Sequence, residues 1–296
     1  VDFTVEYPVS VPGHDPALVT AEGMRQVVRA AEEAGYAAVG FTEHPAPSKK
    51  WLDAGGHETL DPIAALSFCA AATERIRLMT YLLVLPYHNP FLLAKGLATV
   101  DLLSGGRLVV VAGTGYLRSE FLAAGVDMDE RNARFDEAVE VMRGVWTHVP
   151  YDHEGRFFTG RGVAALPAPA TPGGPPIWIG GNSALARRRA AAQQGWSPFL
   201  SDGVLARTTR TPAITSVEQL ARYVREVREM AGRPIDVQVR TPAHRFMIDG
   251  GSADEHRDHL GRLAEAGVTS FVVQPPGASV QATVEALHAY AEAFLR

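Results

Sequence analysis

The feature that most constrains this chain is a rhythm. A short run rich in β-branched residues is followed by a longer run with helical spacing, and the pair occurs eight times. Phe3–Tyr7 reads as a first strand. It is followed by a helix from Thr20 to Ala34, with Met24, Val27, Val28 and Ala31 on one face. Thr20 is a suitable N-cap, and Gly35 a suitable stop. Strands are then expected over Tyr36–Phe41, Ile76–Val84 and Arg107–Ala112, with helices opening at Asp61-Pro62 and Asn89-Pro90. A long helix is expected from Ser119 to about Thr147. Further strands fall at Ile177–Ile179, near Trp196, at Val237–Ile248 and at Thr269–Gln274. Their helices run Ser183–Gln194, Val217–Ala231, Ala253–Ala266 and Val280–Leu295.

Strand–helix alternation gives a parallel sheet, and eight repeats close naturally into a barrel of ~250 residues. The expected fold is therefore a (β/α)8 barrel, carried by residues 1–296 as one domain. The excess length lies in two irregular stretches. Tyr151–Pro176, after the fourth strand, has room for a hairpin around His153-Glu154-Gly155, and Pro198–Thr215 lies near the sixth. An open doubly wound sheet is the structural alternative, but no Gly-x-Gly-x-x-Gly follows the first strand.

Composition narrows the function. Hydrophobic residues make up 46% and charged residues 21%, with a formal net charge of −5, as suits a packed soluble protein. The only basic run, Arg187-Arg188-Arg189, reads as a solvated helix face, so nucleic acid is not an expected partner. No segment approaches the ~18 uninterrupted apolar residues of a membrane helix, and no signal-like run opens the sequence. A cytoplasmic address and no membrane partner are expected. Cys69 is the single cysteine. It sits in an apolar run, so it reads as a buried structural thiol rather than a nucleophile. Neither His-Glu-x-x-His nor a cysteine pair is present, so no metal site is expected, and His153, His256 and His259 read as surface residues.

In a barrel of this type, chemistry gathers at the C-terminal ends of the strands. After the second strand comes Glu43-His44, a carboxylate beside an imidazole, suited to acid–base work or ring contacts. A solvated loop pair would look the same. The loop from Ala46 to Leu60, with Trp51 and His57, can cover a pocket or lie plainly on the surface. Asn89, after the third strand, can cap a helix or hydrogen-bond a sugar-alcohol chain. Gly113-Thr114-Gly115 after the fourth strand allows close approach of a flat ring, or a tight turn. Gly180-Gly181-Asn182-Ser183, at the start of a helix, presents amides to a phosphate. No Gly-Lys-Ser/Thr follows, so it is not a nucleotide P-loop.

The order of these motifs resembles the luciferase-like monooxygenase superfamily, and within it the coenzyme F-420-dependent branch. The resemblance is carried by Glu43-His44-Pro45, Gly55-Gly56-His57 before Asp61-Pro62, and Val84-Leu85-Pro86-Tyr87-His88-Asn89-Pro90. Asp101–Leu108, Gly113–Leu117 with Glu120-Phe121, and Pro176–Ser183 complete it. It is looser over the C-terminal third. It implies that His44 lies against an isoalloxazine-like ring and that Asn89 reaches the ribityl chain. It implies that Gly180–Ser183 takes the phosphate, and that a non-proline cis peptide near Tyr81-Leu82, in the Thr80–Leu82 segment, buttresses the ring. Deazaflavin relatives often carry Asp before the strand-2 histidine, where this chain has Glu43. Sugar-phosphate dehydrogenase relatives place Glu after the Gly-Thr-Gly turn. Here that residue is Tyr116, so sugar-phosphate oxidation is not expected.

The expected function is hydride transfer between F-420 and a small organic substrate, with His44 as proton relay or ring contact and Glu43 orienting it. The alternative is a monooxygenase using reduced FMN from a separate reductase. A cofactor-free binding protein on a decayed barrel is a third reading, opposed by the intact glycine turns. The resemblance also implies a homodimer, for which Ile63, Leu66, Phe68, Phe91, Leu92 and Leu97 offer apolar surface.

Overall fold

The structure, a computed structural model, describes residues 1–201 and 203–295, and only the backbone of Val204 and Leu205. Position 202, inside the second irregular stretch, and position 296 lie outside the described residues. Eight parallel strands close into a barrel: β1 (Asp2–Glu6), β2 (Ala38–Phe41), β3 (Arg77–Val84), β4 (Leu108–Gly113), β7 (Ile177–Gly180), β8 (Gly195–Ser197), β9 (Asp236–Val239) and β10 (Ser270–Val273). Around the ring the order is β1-β10-β9-β8-β7-β4-β3-β2, so β9 faces β3 across the barrel. The remaining strands, β5 (Tyr151–Glu154) and β6 (Thr159–Val163), form an antiparallel hairpin inside the first irregular stretch.

Most of the helices start where side chains replace the missing partners of their first amides. In α1 (Ala21–Ala34) Thr20 Oγ1 accepts from Gly23 N at 3.1 Å, and Gly35 closes the helix. A short α2 (Lys49–Asp53) interrupts the loop after β2. Asp61 caps α3 (Pro62–Ala72) and Asn89 caps α4 (Pro90–Leu103), each before a proline that needs no amide partner. The helix expected over 119–147 is two helices, α5 (Arg118–Ala123) and α6 (Arg131–Thr147). Gly125, at φ +67°, turns the chain between them, and the Asp127 carboxylate accepts from Asp129 N at 2.9 Å to start a new turn. Ser183 caps α7 (Ala184–Ala192), and a short α8 (Val204–Thr208) lies in the second irregular stretch. Then come α9 (Val217–Ala231), α10 (Phe246–Asp249), α11 (Ala253–Glu265) and α12 (Val280–Phe294). The strand expected over 237–248 ends at Val239. Thr241-Pro242 opens a 3-10 turn there, with Thr241 Oγ1 accepting from Ala243 N at 3.2 Å.

Period-two alternation divides the strand side chains between two cores. Val39, Phe41, Leu78, Val110, Ile177 and Ile179 join the core shared with the helices. Ala38, Met79, Val109, Val111 and Trp178 form a separate cluster, and Leu82 packs against it. The β3–β4 register shifts between Thr80 and Leu83. That one-residue slip brings Leu82 to the same side as Met79, against the strict alternation.

The sequence expectations for three histidines and for the arginine run fail for one reason: packing supplied partners that local sequence does not show. His256 is buried, stacked on Phe246 at 4.3 Å and bonded to Tyr290 Oη at 2.8 Å. His153 is enclosed beside Glu137, at 3.4 Å, and His259 Nε2 meets Thr241 Oγ1 at 3.0 Å. Of the arginine run, only Arg188 is solvated. Arg187 is buried over the Tyr223 ring, and Arg189 pairs with Asp136 at 2.6 Å. Among the residues offered for a dimer face, Leu66 and Leu97 belong to the core, whereas Leu92 is 75% exposed.

Candidate active site

The mouth at the C-terminal ends of the strands gathers most of the expected residues. His44, just past β2, is anchored through its backbone: its N–H donates to Thr59 Oγ1 at 3.1 Å, and the Thr59 hydroxyl donates back to His44 O at 3.2 Å. Its Nδ1 lies 3.2 Å from Glu120 Oε2. The same carboxylate oxygen accepts from Tyr87 Oη at 3.1 Å, and Oε1 accepts from Ala46 N at 3.4 Å. Glu120 is thus a buried carboxylate that holds three groups, and it fixes the imidazole tautomer with Nδ1–H toward the carboxylate. His44 Nε2 is left with no protein partner among the described residues.

Glu43 does not orient His44. Its Oε2 accepts from Val84 N at 2.5 Å, and its Oε1 meets His88 Nε2 at 2.7 Å. The physical reason is strand parity: adjacent residues at a strand end point to different sides, so neighbours in sequence cannot share a bond here. Glu43 instead ties the end of β3 to β2. The pairing also moves His88. Burial lowers its pKa, but the hydrogen bond and charge of Glu43 outweigh that and leave it raised.

The loop after β2 folds back over His44. Trp51 lies 4.6 Å from the imidazole, His57 5.1 Å and, from the β4 side, Tyr116 5.9 Å between ring centroids. Gly56 packs against the Trp51 indole so closely that a Cβ there would fall 2.3 Å from the ring. The loop is therefore a cover, not a free surface excursion. Burial, with the Glu120 charge, pushes the Tyr116 phenol up to about 12.

The β3 segment carries the non-proline cis peptide at Tyr81-Leu82 that the resemblance implied. Thr80 is fully buried and donates to Val111 O at 2.9 Å, so its hydroxyl belongs to the β3–β4 ladder. Gly113 and Gly180 both abut Leu82: added Cβ atoms would fall 2.6 and 2.4 Å from its methyl carbons. These glycines make room for Leu82, a use the sequence did not reveal. Asn89 is exposed, and its Oδ1 accepts from Phe91 N at 3.0 Å and Leu92 N at 3.4 Å, which is the capping role. Gly115, beside Thr114, sits at φ +74° against Val84 and Tyr87.

In the turn after β7, the amides of Gly181 and Asn182 are already engaged. Gly181 N donates to Ser197 O at 3.2 Å, and Asn182 N to Thr211 Oγ1 at 3.1 Å. The buried Asn182 side chain is also saturated, donating to Phe199 O and Pro212 O and accepting from Phe199 N. Asn182 therefore staples the turn to the second irregular stretch. The N–H groups of Ser183, Ala184 and Leu185, at the open end of α7, have no protein acceptor among the described residues. Gly181 adopts φ +102°, which an L side chain rarely takes.

A barrel of this architecture has known counterparts. The family model for luciferase-like monooxygenases matches residues 3–294. This chain belongs to the luciferase-like monooxygenase family. It is 34% identical over 199 residues to an FMNH(2)-dependent dimethylsulfone monooxygenase of Pseudomonas putida, covering 65% of this chain and 50% of that protein. It is 31% identical over 212 residues to an F420-dependent glucose-6-phosphate dehydrogenase of Nocardia farcinica, covering 70% and 59%. The crystal structure of the monooxygenase RslO1 from Streptomyces bottropensis shares the fold at a TM-score of 0.79 and 23% identity, over 100% of this chain and 99% of that one. The luciferase-like chain is thus an oxidoreductase of the flavin- or deazaflavin-dependent class. No helix among its described residues is long and apolar enough to cross a membrane.

The site residues that sequence reading missed are Glu120 as the partner of His44, and a second group formed by Glu6, at the end of the neighbouring β1, and Arg240, after β9. There the buried Glu6 accepts from Ser10 Oγ at 2.8 Å, and Arg240 lies 3.9 Å from it. Glu6 ends β1, so the strand-end rule that singled out Glu43 applies to it equally. Arg240 lay inside the overlong expected strand, and that error hid it.

Proposed function

We propose that this luciferase-like chain is a coenzyme F-420-dependent oxidoreductase that moves hydride to or from a small organic molecule. The observation that carries this reading is the Glu120–His44 pair. It is a proton-handling dyad under an aromatic cover, with one ring nitrogen fixed and the other free. When bound, the deazaflavin supplies the hydride chemistry. The chain supplies the proton: Glu120 holds Nδ1–H, so that Nε2 takes or gives the proton that accompanies hydride transfer. Trp51, His57 and Tyr116 exclude water around that nitrogen.

The residues present fit a ring of this type. Leu82, raised by the register slip, offers an apolar support, and the buried Thr42 Oγ1 just past β2 has no partner among the described residues. Ser183, Ala184 and Leu185 would hold a phosphate at the start of α7. Asn89 would reach the ribityl chain through its amide nitrogen, its oxygen being committed to the cap. Glu43 supports the site by joining β2 to β3.

A second reading, an FMN-dependent two-component monooxygenase served by a separate reductase, is favoured by the match to the dimethylsulfone monooxygenase. Dialysis of the protein against F-420 and against FMN, followed by visible spectra, separates the two. Retention of F-420 alone supports the proposal. Retention of FMN alone supports the second reading, and retention of neither overturns both.

A further inference from the structure

Arg240 follows β9 directly, and both its backbone groups are tied to the segment after β8: its N–H donates to Pro198 O at 3.4 Å, and its carbonyl accepts from Leu200 N at 2.8 Å. Its side chain stands at the mouth, across the barrel from the Tyr81-Leu82 segment of β3. One guanidinium nitrogen, Nη2, donates to His244 Nε2 at 2.8 Å. His244 Nδ1–H in turn donates to Thr241 O at 2.8 Å, which leaves Nε2 as an acceptor and the ring neutral. Burial and the Arg240 charge hold the His244 pKa down to about 4, so it stays neutral at ordinary pH.

The carboxylate of Glu6 lies beneath. Its Oε1 accepts from Ser10, and Gln274 Nε2 bonds Ser10 Oγ at 2.8 Å. Its Oε2 is buried without a hydrogen-bond partner among the described residues, although Arg240 Nε is only 3.9 Å away. A guanidinium that served only to neutralise Glu6 would close on it as a two-pronged fork at ordinary hydrogen-bond distance. This one does not. It turns an edge away, its side chain is 32% exposed against 3% for Glu6, and Nη1 has no protein acceptor among the described residues. The charge reaches the same space as the proposed dyad, since it acts on His57, Tyr81 and Tyr116.

We infer that Arg240, braced by Glu6 and His244, anchors a carboxylate group of the substrate at the rim facing the β3 wall. A planar monoanion suits the free guanidinium edge. A phosphate dianion suits it less, because Glu6 already lies against this cation and Glu43 and Glu120 lie in the same mouth. The inference rests on this mouth being the substrate site, not on which cofactor serves it.

The test uses benzoate and its neutral isostere benzamide with the isolated protein, by isothermal titration. Benzoate is expected to bind at least tenfold tighter than benzamide, and R240Q to abolish that preference while R240K keeps part of it. Cofactor retention is measured in parallel. If R240Q loses the cofactor as well, Arg240 belongs to the cofactor and the inference is overturned. Labelling of the native protein with phenylglyoxal locates the site without a mutation. Benzoate, but not benzamide, is expected to slow modification of Arg240. Equal affinity for the two probes, or labelling of Arg240 unaffected by benzoate, overturns the assignment whatever cofactor is bound.

Discussion

Gly180→Ala tests whether the glycines at the mouth serve Leu82. A Cβ at position 180 would fall 2.4 Å from Leu82 Cδ2, well inside van der Waals contact, while the nearest other atom, Ala112 O, is 3.5 Å away. Gly180 is not at a positive φ, so alanine meets no backbone penalty, and the contact with Leu82 is the whole perturbation. Overpacking of a filled site costs ~1–3 kcal/mol. For a chain of 296 residues the unfolding entropy is about 0.6 kcal/mol per degree, so Tm should fall by about 2–5 °C. The decisive measurement is a double-mutant cycle by thermal melting. Leu82→Ala alone should destabilise by less than the ~2–5 kcal/mol of a fully buried leucine, because Leu82 is only partly buried. In that background Gly180→Ala should cost little or nothing, because the new methyl enters vacated space, giving a coupling of ~1–3 kcal/mol. If Gly180→Ala costs as much without the Leu82 side chain as with it, the glycine is needed for another reason and the reasoning fails. Acidic replacement at Gly181 is a poorer test of the mouth, because φ +102° strains any L residue there regardless of a ligand.

His44→Ala is expected to lower turnover by ~100-fold or more with the fold retained, whereas Glu120→Gln should lower it less and scramble the imidazole tautomer seen by 15N NMR. An unchanged tautomer in Glu120→Gln would remove Glu120 from the dyad. The Glu43–His88 pair should make stability depend on pH. The folded His88 pKa lies above its ordinary 6.5, so its contribution is complete below that pH and disappears as pH rises through the folded value; Glu43→Gln should flatten this part of the melting profile. Cys69 is fully buried, and burial pushes its thiol up to about 12, so a disulfide reagent should label it only on unfolding. Sedimentation at micromolar concentration should give a dimer, and Leu92→Glu should shift it to monomer if α4 contributes to the contact.

What the sequence determined by itself is the architecture and where its chemistry is displayed. Period-two and period-3.6 patterns are local, and so are the caps: Thr20, Asp61, Asn89 and Ser183 each bond an amide within three residues of themselves. Those signals were enough to count the strands, close the barrel and place His44, Asn89 and the glycine turns on one face. They were not enough where a turn depends on a single residue, so Gly125 and Pro242 split elements that the periodicity had joined. The partnerships were decided by the tertiary structure alone. His44 meets Glu120 across 76 positions, Glu43 meets Val84 and His88 across 41 and 45, and Gln274 meets Ser10 across 264. A carboxylate acts on whichever group the closed barrel brings within about 3 Å. Barrel closure sets that distance through register and strand parity, and neither is written in the residues beside it. Glu43 stands next to His44 in the chain and bonds elsewhere for that reason.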